Sequence, residues 1–233
     1  VQLAVSTVIL ALRPTPDGSG TTLWLPLVRR IREPFLGAWA LPGEPLEEHM
    51  SLVEAARTRL RHTIGLDPNY LEQLYAFGGV DRSRDGSSPD APCPERVVSI
   101  VYWALVRADE DARMVAGENV AWFPAEQLPA LAFDHAAIVD YALARLRAKL
   151  EYTPIAHAFL PDEFTLTEVR EVYEAVLGRG LDPANFRRQI LASGAVEPTG
   201  EKVTGTSHRP PSLYRYRPDS VATSPTPPPR SAA

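Results

Sequence analysis

Three groups of residues in this 233-residue chain have types and spacings suited to chemistry. Between Gly43 and Leu66, Arg59 and His62 stand three apart in a helix-forming run and share a helix face. That face is neutral to positive, so it repels a divalent cation and favours phosphate. Glu44, Glu47 and Glu48 in the loop before it are the carboxylates that would have to rebuild a magnesium site, because magnesium takes oxygen ligands. On an extended strand Arg96, Val98, Ile100 and Tyr102 point to one side, where an arginine fork can meet phosphate and an aromatic ring a base or sugar. The other reading of the same types is a surface arginine and a core tyrosine. Trp39 is likewise either a core ring or a ligand platform. The third group is Asn185, Arg187 and Arg188. Phe186 and Ile190, four apart, face a core, which turns Asn185 and Arg188 outward and leaves Arg187 on the flank. Asparagine can read adenine and arginine guanine through paired hydrogen bonds, so the outward pair are candidate base readers and Arg187 a candidate phosphate clamp.

The elements that must position these groups follow from local signals. Val1 to Leu12 and Thr22 to Val28 are apolar and β-branched runs around a Pro/Gly turn, and Leu71 to Val80 and Arg96 to Val106 are two further predicted strands. Ser51 and Glu54 make a capping box that starts a helix running to about Ile64. Asp134 to Leu150 repeats apolar residues at helical spacing. These elements make one α+β domain over residues 1–150. A second unit covers 151–217. There Thr165 and Glu168 form another capping box, and Asp182-Pro183 opens a second helix that ends at Gly194. Ala195 to Val203 and Ser212 to Tyr216 are two short strands, so helix, turn, helix and hairpin outline a winged helix-turn-helix. Residues 218–233 are rich in Ser, Thr, Pro and Ala and are expected to be a disordered tail.

Composition narrows the class. The net charge of −5 argues against a chain coated in basic residues, and Cys93, the single cysteine, excludes an internal disulfide. No apolar run approaches a membrane span, so a soluble cytoplasmic protein is expected. Inside the second unit charge separates. Residues 151–178 carry six acids against Arg170 alone, while 179–217 carry seven cations against three acids, a net of +4. Arg179, Lys202, His208, Arg209 and Arg215 therefore join the second helix as candidate DNA contacts, on the side where a winged helix meets the duplex.

The spacing of Gly43, Ala55, Ala56, Leu60, Gly65 and Leu66 resembles a Nudix box, the loop-helix-loop that holds magnesium against a diphosphate. Phe35 to Gly43 resembles the strand leading into such boxes, and Asp81-Arg82 with Arg96 to Tyr102 resembles the strand pair of ADP-ribose-type Nudix proteins. The box departs from the pattern at Met50, Thr58, Arg59, His62 and Thr63, where carboxylates or their arginine neighbour belong. Phe164 to Arg188 and His208 to Arg215 are similar to the DNA-binding domain and wing of the Nudix-related regulators of NAD metabolism, the NrtR type. The resemblance implies an N-terminal Nudix-like α/β/α sandwich and a homodimeric repressor of NAD biosynthesis or salvage genes. It further implies a palindromic double-stranded DNA operator and ADP-ribose or a related nucleotide as effector. Trp39, Arg59, Arg82, Arg96 and Tyr102 are the expected ligand residues, and no catalytic residue, metal or cofactor is expected. A divergent hydrolase of ADP-ribose-like substrates is the competing reading. A winged helix that binds another protein is a third.

Overall fold

The computed structural model describes residues 1–65, 67–80, 82, 96–107, 110, 119–204 and 210–218. His208 and Arg209, Cys93, and all but the first residue of the expected tail lie outside them. The apolar run Gln2–Pro14 forms β1, and Val5 to Ala11 are buried without alternation, as in a strand covered on both faces. β1 pairs antiparallel with β2 (Thr21–Arg29) and parallel with β6 (Val97–Val106). β3 (Trp39–Ala40), β2, β1, β6 and β5 (Tyr70–Phe77) follow in that order across one seven-stranded sheet. β4 (Gly43–Pro45) adds to β1, and β7 (Val120–Pro124) to β2. β7 has no counterpart among the predicted strands, because five residues ending in proline carry too short an alternation to be told from a loop.

Alternation along β1 and β6 assigns the two faces. Ile9, Ala11, Ala104 and Val106 pack on Leu60 and Ile64 of α1 (Leu52–Ile64). Val8, Leu10, Val101, Trp103 and Leu105 share the main core with Ile138, Val139, Ala142 and Leu146 of α2 (His135–Tyr152). The N-terminal unit is thus an α/β/α sandwich. α1 starts where its capping box predicts: the Glu54 N–H donates to Ser51 Oγ at 3.3 Å, and the Ser51 N–H to Glu54 Oε2 at 3.1 Å. It stops at Gly65, whose φ of 71° is the left-handed cap that glycine adopts without steric cost.

A 3-10 turn (Ile155–Phe159) leads into α3 (Leu166–Leu177), α4 (Pro183–Ala192) and the antiparallel pair β8 (Val196–Lys202) and β9 (Ser212–Tyr216). α3 has the predicted Thr165–Glu168 box, and the Asp182 carboxylate accepts the Asn185 N–H at 2.8 Å to start α4. Phe164, Val169, Val172, Phe186, Ile190 and Tyr214 belong to the same apolar cluster as the sandwich core. At ~1.5 Å per residue, the 18 residues of α2 reach about 27 Å, from the edge of the sandwich to the winged helix. There Arg147 Nε donates to the Val176 carbonyl of α3 at 3.0 Å. Lys149 Nζ lies 2.5 Å from Glu72 Oε2 on β5, fixing the same end of α2 to the sheet. No helix among the described residues is long and apolar enough to cross a membrane.

Candidate effector pocket and nucleic-acid interface

The even-numbered face of β1 and the odd-numbered face of β6 run beyond the main core and floor an open pocket of about 620 Å³, with Ala4, Ser6, Val97 and Ser99 at its base. That volume suits a ligand of nucleotide size. The end of β2 supplies Arg29 and the run after it Arg30 and Arg32, α1 supplies Arg59, and Arg82 enters from the segment after β5. Five guanidinium groups face two lining carboxylates, Glu33 and Glu44, so the lining is cationic.

Three of these cations are held in definite ways. Arg59 is ion-paired with Glu44 of β4, and its side chain is mostly buried. Its Nε has no hydrogen-bond partner among the described residues, and burial pulls the guanidinium below its usual pKa. Arg82 forks onto Asp134 through Nε and Nη2 at 2.9 and 2.7 Å. Arg30 donates to the Pro34 carbonyl at 2.8 Å and lies 4.6 Å from the centre of the Phe133 ring. Among the described residues Phe133 and Phe35 are the non-glycine residues with positive φ, 57° and 66°, and their rings meet edge to face at 4.8 Å. Such left-handed backbone costs about 1–3 kcal/mol per residue and is found where surrounding contacts hold it for a purpose. Here it turns the chain into the pocket just before α2.

His135, at the first turn of α2, is buried beside Phe133. Its Nδ1 accepts the Leu41 N–H at 2.9 Å, so the neutral ring carries its proton on Nε2. Burial pushes its pKa down to about 4, with Arg82 and Arg30 adding to the fall and Asp134 opposing it. The ring is therefore an uncharged donor at neutral pH.

The expected ligand residues separate accordingly. Arg59 and Arg82 line this pocket; Trp39, Arg96 and Tyr102 do not. Arg96 immediately precedes β6, and Tyr102 lies on the face of β6 that meets α1. Tyr102 is 5% exposed in a cluster with Val5 and Ala56, and Arg96 donates to the Gly78 carbonyl at 3.0 Å. Trp39 stacks edge to face on Phe123 at 5.1 Å and packs against the main core. Arg30, Phe133 and His135 were missed. The run Val28-Arg29-Arg30-Ile31-Arg32 was the one signal that could have pointed to the first.

The box residues fit magnesium poorly. His62 is exposed and outside the pocket, and Thr63 is buried with Oγ1 donating to the Arg59 carbonyl at 2.8 Å. Among the described residues no cluster of three His, Cys, Asp or Glu side chains is grouped to hold a metal ion.

On the second unit Asn185, Arg187 and Arg188 are exposed, while Phe186 and Ile190 are buried. Arg188 Nη2 donates to Asn185 Oδ1 at 2.6 Å, so the two candidate readers are linked. α4 is fixed beneath them by Tyr173 against Phe186, ring centroids 5.1 Å apart, and by the Leu181 N–H donating to Glu174 at 2.7 Å. Arg179 and Lys202 are exposed on the same unit. Arg215 is exposed as well, but Glu197 of the facing strand takes its Nε at 2.8 Å and lies 3.5 Å from Arg217, which offsets part of the wing's charge.

A three-layer sandwich with a box helix beside a cationic pocket, joined to a winged helix, defines a Nudix-type domain carrying a DNA-binding head. Residues 5–146 match the NUDIX domain, and residues 156–216 match the NrtR DNA-binding winged helix domain. Over 196 residues the chain is 35% identical to the ADPR responsive transcriptional repressor NtrR of Acinetobacter baylyi, covering 82% of this chain and 74% of that one. The crystal structure of Shewanella oneidensis NrtR superposes with a TM-score of 0.75 at 31% identity, covering 95% of this chain and 97% of that one. The same protein complexed with a 27mer DNA superposes with a TM-score of 0.72 at 30% identity, covering 94% and 95%. The chain belongs to the NrtR family of Nudix-domain transcriptional regulators.

Proposed function

We propose that this protein is a homodimeric transcriptional repressor that binds a palindromic operator and senses ADP-ribose, or a closely related nucleotide, without hydrolysing it. The relatives described as an ADPR responsive repressor and as a complex with a 27mer DNA support the two halves of this reading. One observation carries the sensor half. Arg59, at a position where the Nudix pattern has a carboxylate, is buried in the pocket wall and ion-paired with Glu44. Glu44 is among the few acids that could have rebuilt a metal site, and it is already committed to a cation. A guanidinium there attracts the diphosphate that an intact box would bring to magnesium. Arg82 and Arg30 complete the anion subsite, Phe133 and His135 offer a ring face and an uncharged donor to the rest of the nucleotide, and α2 links the pocket to α3.

On the DNA side Asn185 and Arg188 meet base edges, and Arg179, Arg187 and Lys202 meet phosphate. His208, Arg209 and Arg215 extend the contact along the wing. An operator shift assay on the promoter of neighbouring NAD genes, run with and without ADP-ribose, tests the reading. A specific shift that ADP-ribose changes is expected. A shift indifferent to ADP-ribose would remove the sensor, and no preference over scrambled DNA would remove the repressor.

A further inference from the structure

Three of the helices begin in the ordinary way, with Ser51, Thr165 and Asp182 accepting a backbone N–H of the first turn. α2 does not. Its N-cap residue is Asp134, a type well suited to capping, yet that side chain makes no cap hydrogen bond. Both carboxylate oxygens are turned to Arg82, at 2.7 and 2.9 Å. The Arg82 side chain is 7% exposed and that of Asp134 28%, so the pair is sheltered, and Arg82 with Phe133 and His135, the neighbours of Asp134 in the chain, lines the pocket. A carboxylate on a guanidinium fork presents two oxygens as a phosphate does, and the two compete for the same donors.

We infer that Asp134 is a built-in competitor for the effector: in the free protein it holds the Arg82 fork in place of a phosphate, and so sets the effector's affinity. The inference rests on the proposal that this pocket takes the diphosphate. Exchange frees the Asp134 side chain to accept an N–H of the first turn of α2, the cap hydrogen bond it does not make here. The event therefore occurs at the N-cap of a helix whose other end is bonded to α3 through Arg147 and Val176. The competitor has a cost in affinity and a use: it keeps Arg82 satisfied and extended when no ligand is present, and it raises the concentration at which the sensor responds.

Calorimetry with ADP-ribose on the full chain tests this, comparing wild type with Asp134→Asn, Asp134→Ser and Arg82→Ala. Asn and Ser keep the capping preference and lose the charge. Both should bind ADP-ribose about ten-fold more tightly than wild type, the scale of one charge-assisted hydrogen bond released. Arg82→Ala should bind more weakly. Either Asp134 variant suffices if the other fails to fold, and damage to the fold lowers affinity where this role raises it. Wild-type or weaker affinity in both folded Asp134 variants, with Arg82→Ala weakened, overturns the competitor and leaves the pocket standing. No binding by wild type, or unchanged affinity in Arg82→Ala, removes the use of this arginine and the competitor with it.

Discussion

His135 couples the pocket to the stability of the fold, and its protonation gives a quantitative test. Its folded pKa of about 4 lies below the usual histidine value of 6.5, because burial disfavours the imidazolium. A depressed histidine favours the folded state fully above the unfolded pKa. That contribution is lost as the pH falls from about 6.5 towards 4, because the unfolded chain binds the proton first. A gap of about 2.5 pH units corresponds to about 3 kcal/mol in full, of which about 2 kcal/mol is lost by roughly pH 5. His135→Gln keeps an acceptor for the Leu41 N–H and cannot titrate. Urea unfolding of wild type and variant at about pH 7, 6 and 5 isolates this residue, since other groups cancel in the difference. Wild type should lose its advantage by about 2 kcal/mol across that range. A difference that stays constant with pH would refute the reasoning, and would mean that His135 titrates in the folded protein as it does in the unfolded chain.

Other outcomes follow from the same contacts. Arg188→Ala should cost about 1–3 kcal/mol on the operator and relax preference at one position per half-site, whereas Arg187→Ala should weaken all DNA about equally and lower the salt slope by about one unit. Titrations of operator and scrambled DNA at several salt concentrations separate the two; equal losses on both DNAs for Arg188→Ala would reverse the assignment. Purified protein with magnesium and ADP-ribose should release no AMP, and turnover at about 1 s⁻¹ or faster would restore the hydrolase reading. A Cβ on Gly43 would come within 2.6 Å of Ser6 Oγ, which is itself buried against Ser99 Oγ at 2.8 Å, so Gly43→Ala should lower stability by about 1–3 kcal/mol in urea unfolding. Light scattering should show a dimer when a full palindrome is protected, because one winged helix covers one half-site; a monomer protecting both halves would contradict this.

What this sequence determined by itself is whatever a few neighbouring residues decide. Ser51 with Glu54, Thr165 with Glu168, and Asp182 with Pro183 started three helices where the letters place them, since a capping hydrogen bond spans three residues and needs nothing from the rest of the chain. Phe186 and Ile190 turned α4 in the same way, through a helical period that any buried face imposes. The identities of Met50, Arg59 and His62, which the resemblance sets at carboxylate positions of a Nudix box, were also plain, because they are a matter of residue types. The pocket was not legible. Strand alternation could not say which side of β6 meets α1, where Tyr102 is buried, and that depends on the parallel pairing of β1 with β6. Arg82 met Asp134 across 52 positions, and Leu41 met His135 across 94. Arg215 similarly met Glu197 only through the register of β8 and β9. Those partners were chosen by sheet order and by which helix covers which face, and such choices are made by burial summed over the whole core rather than by any local run of residues.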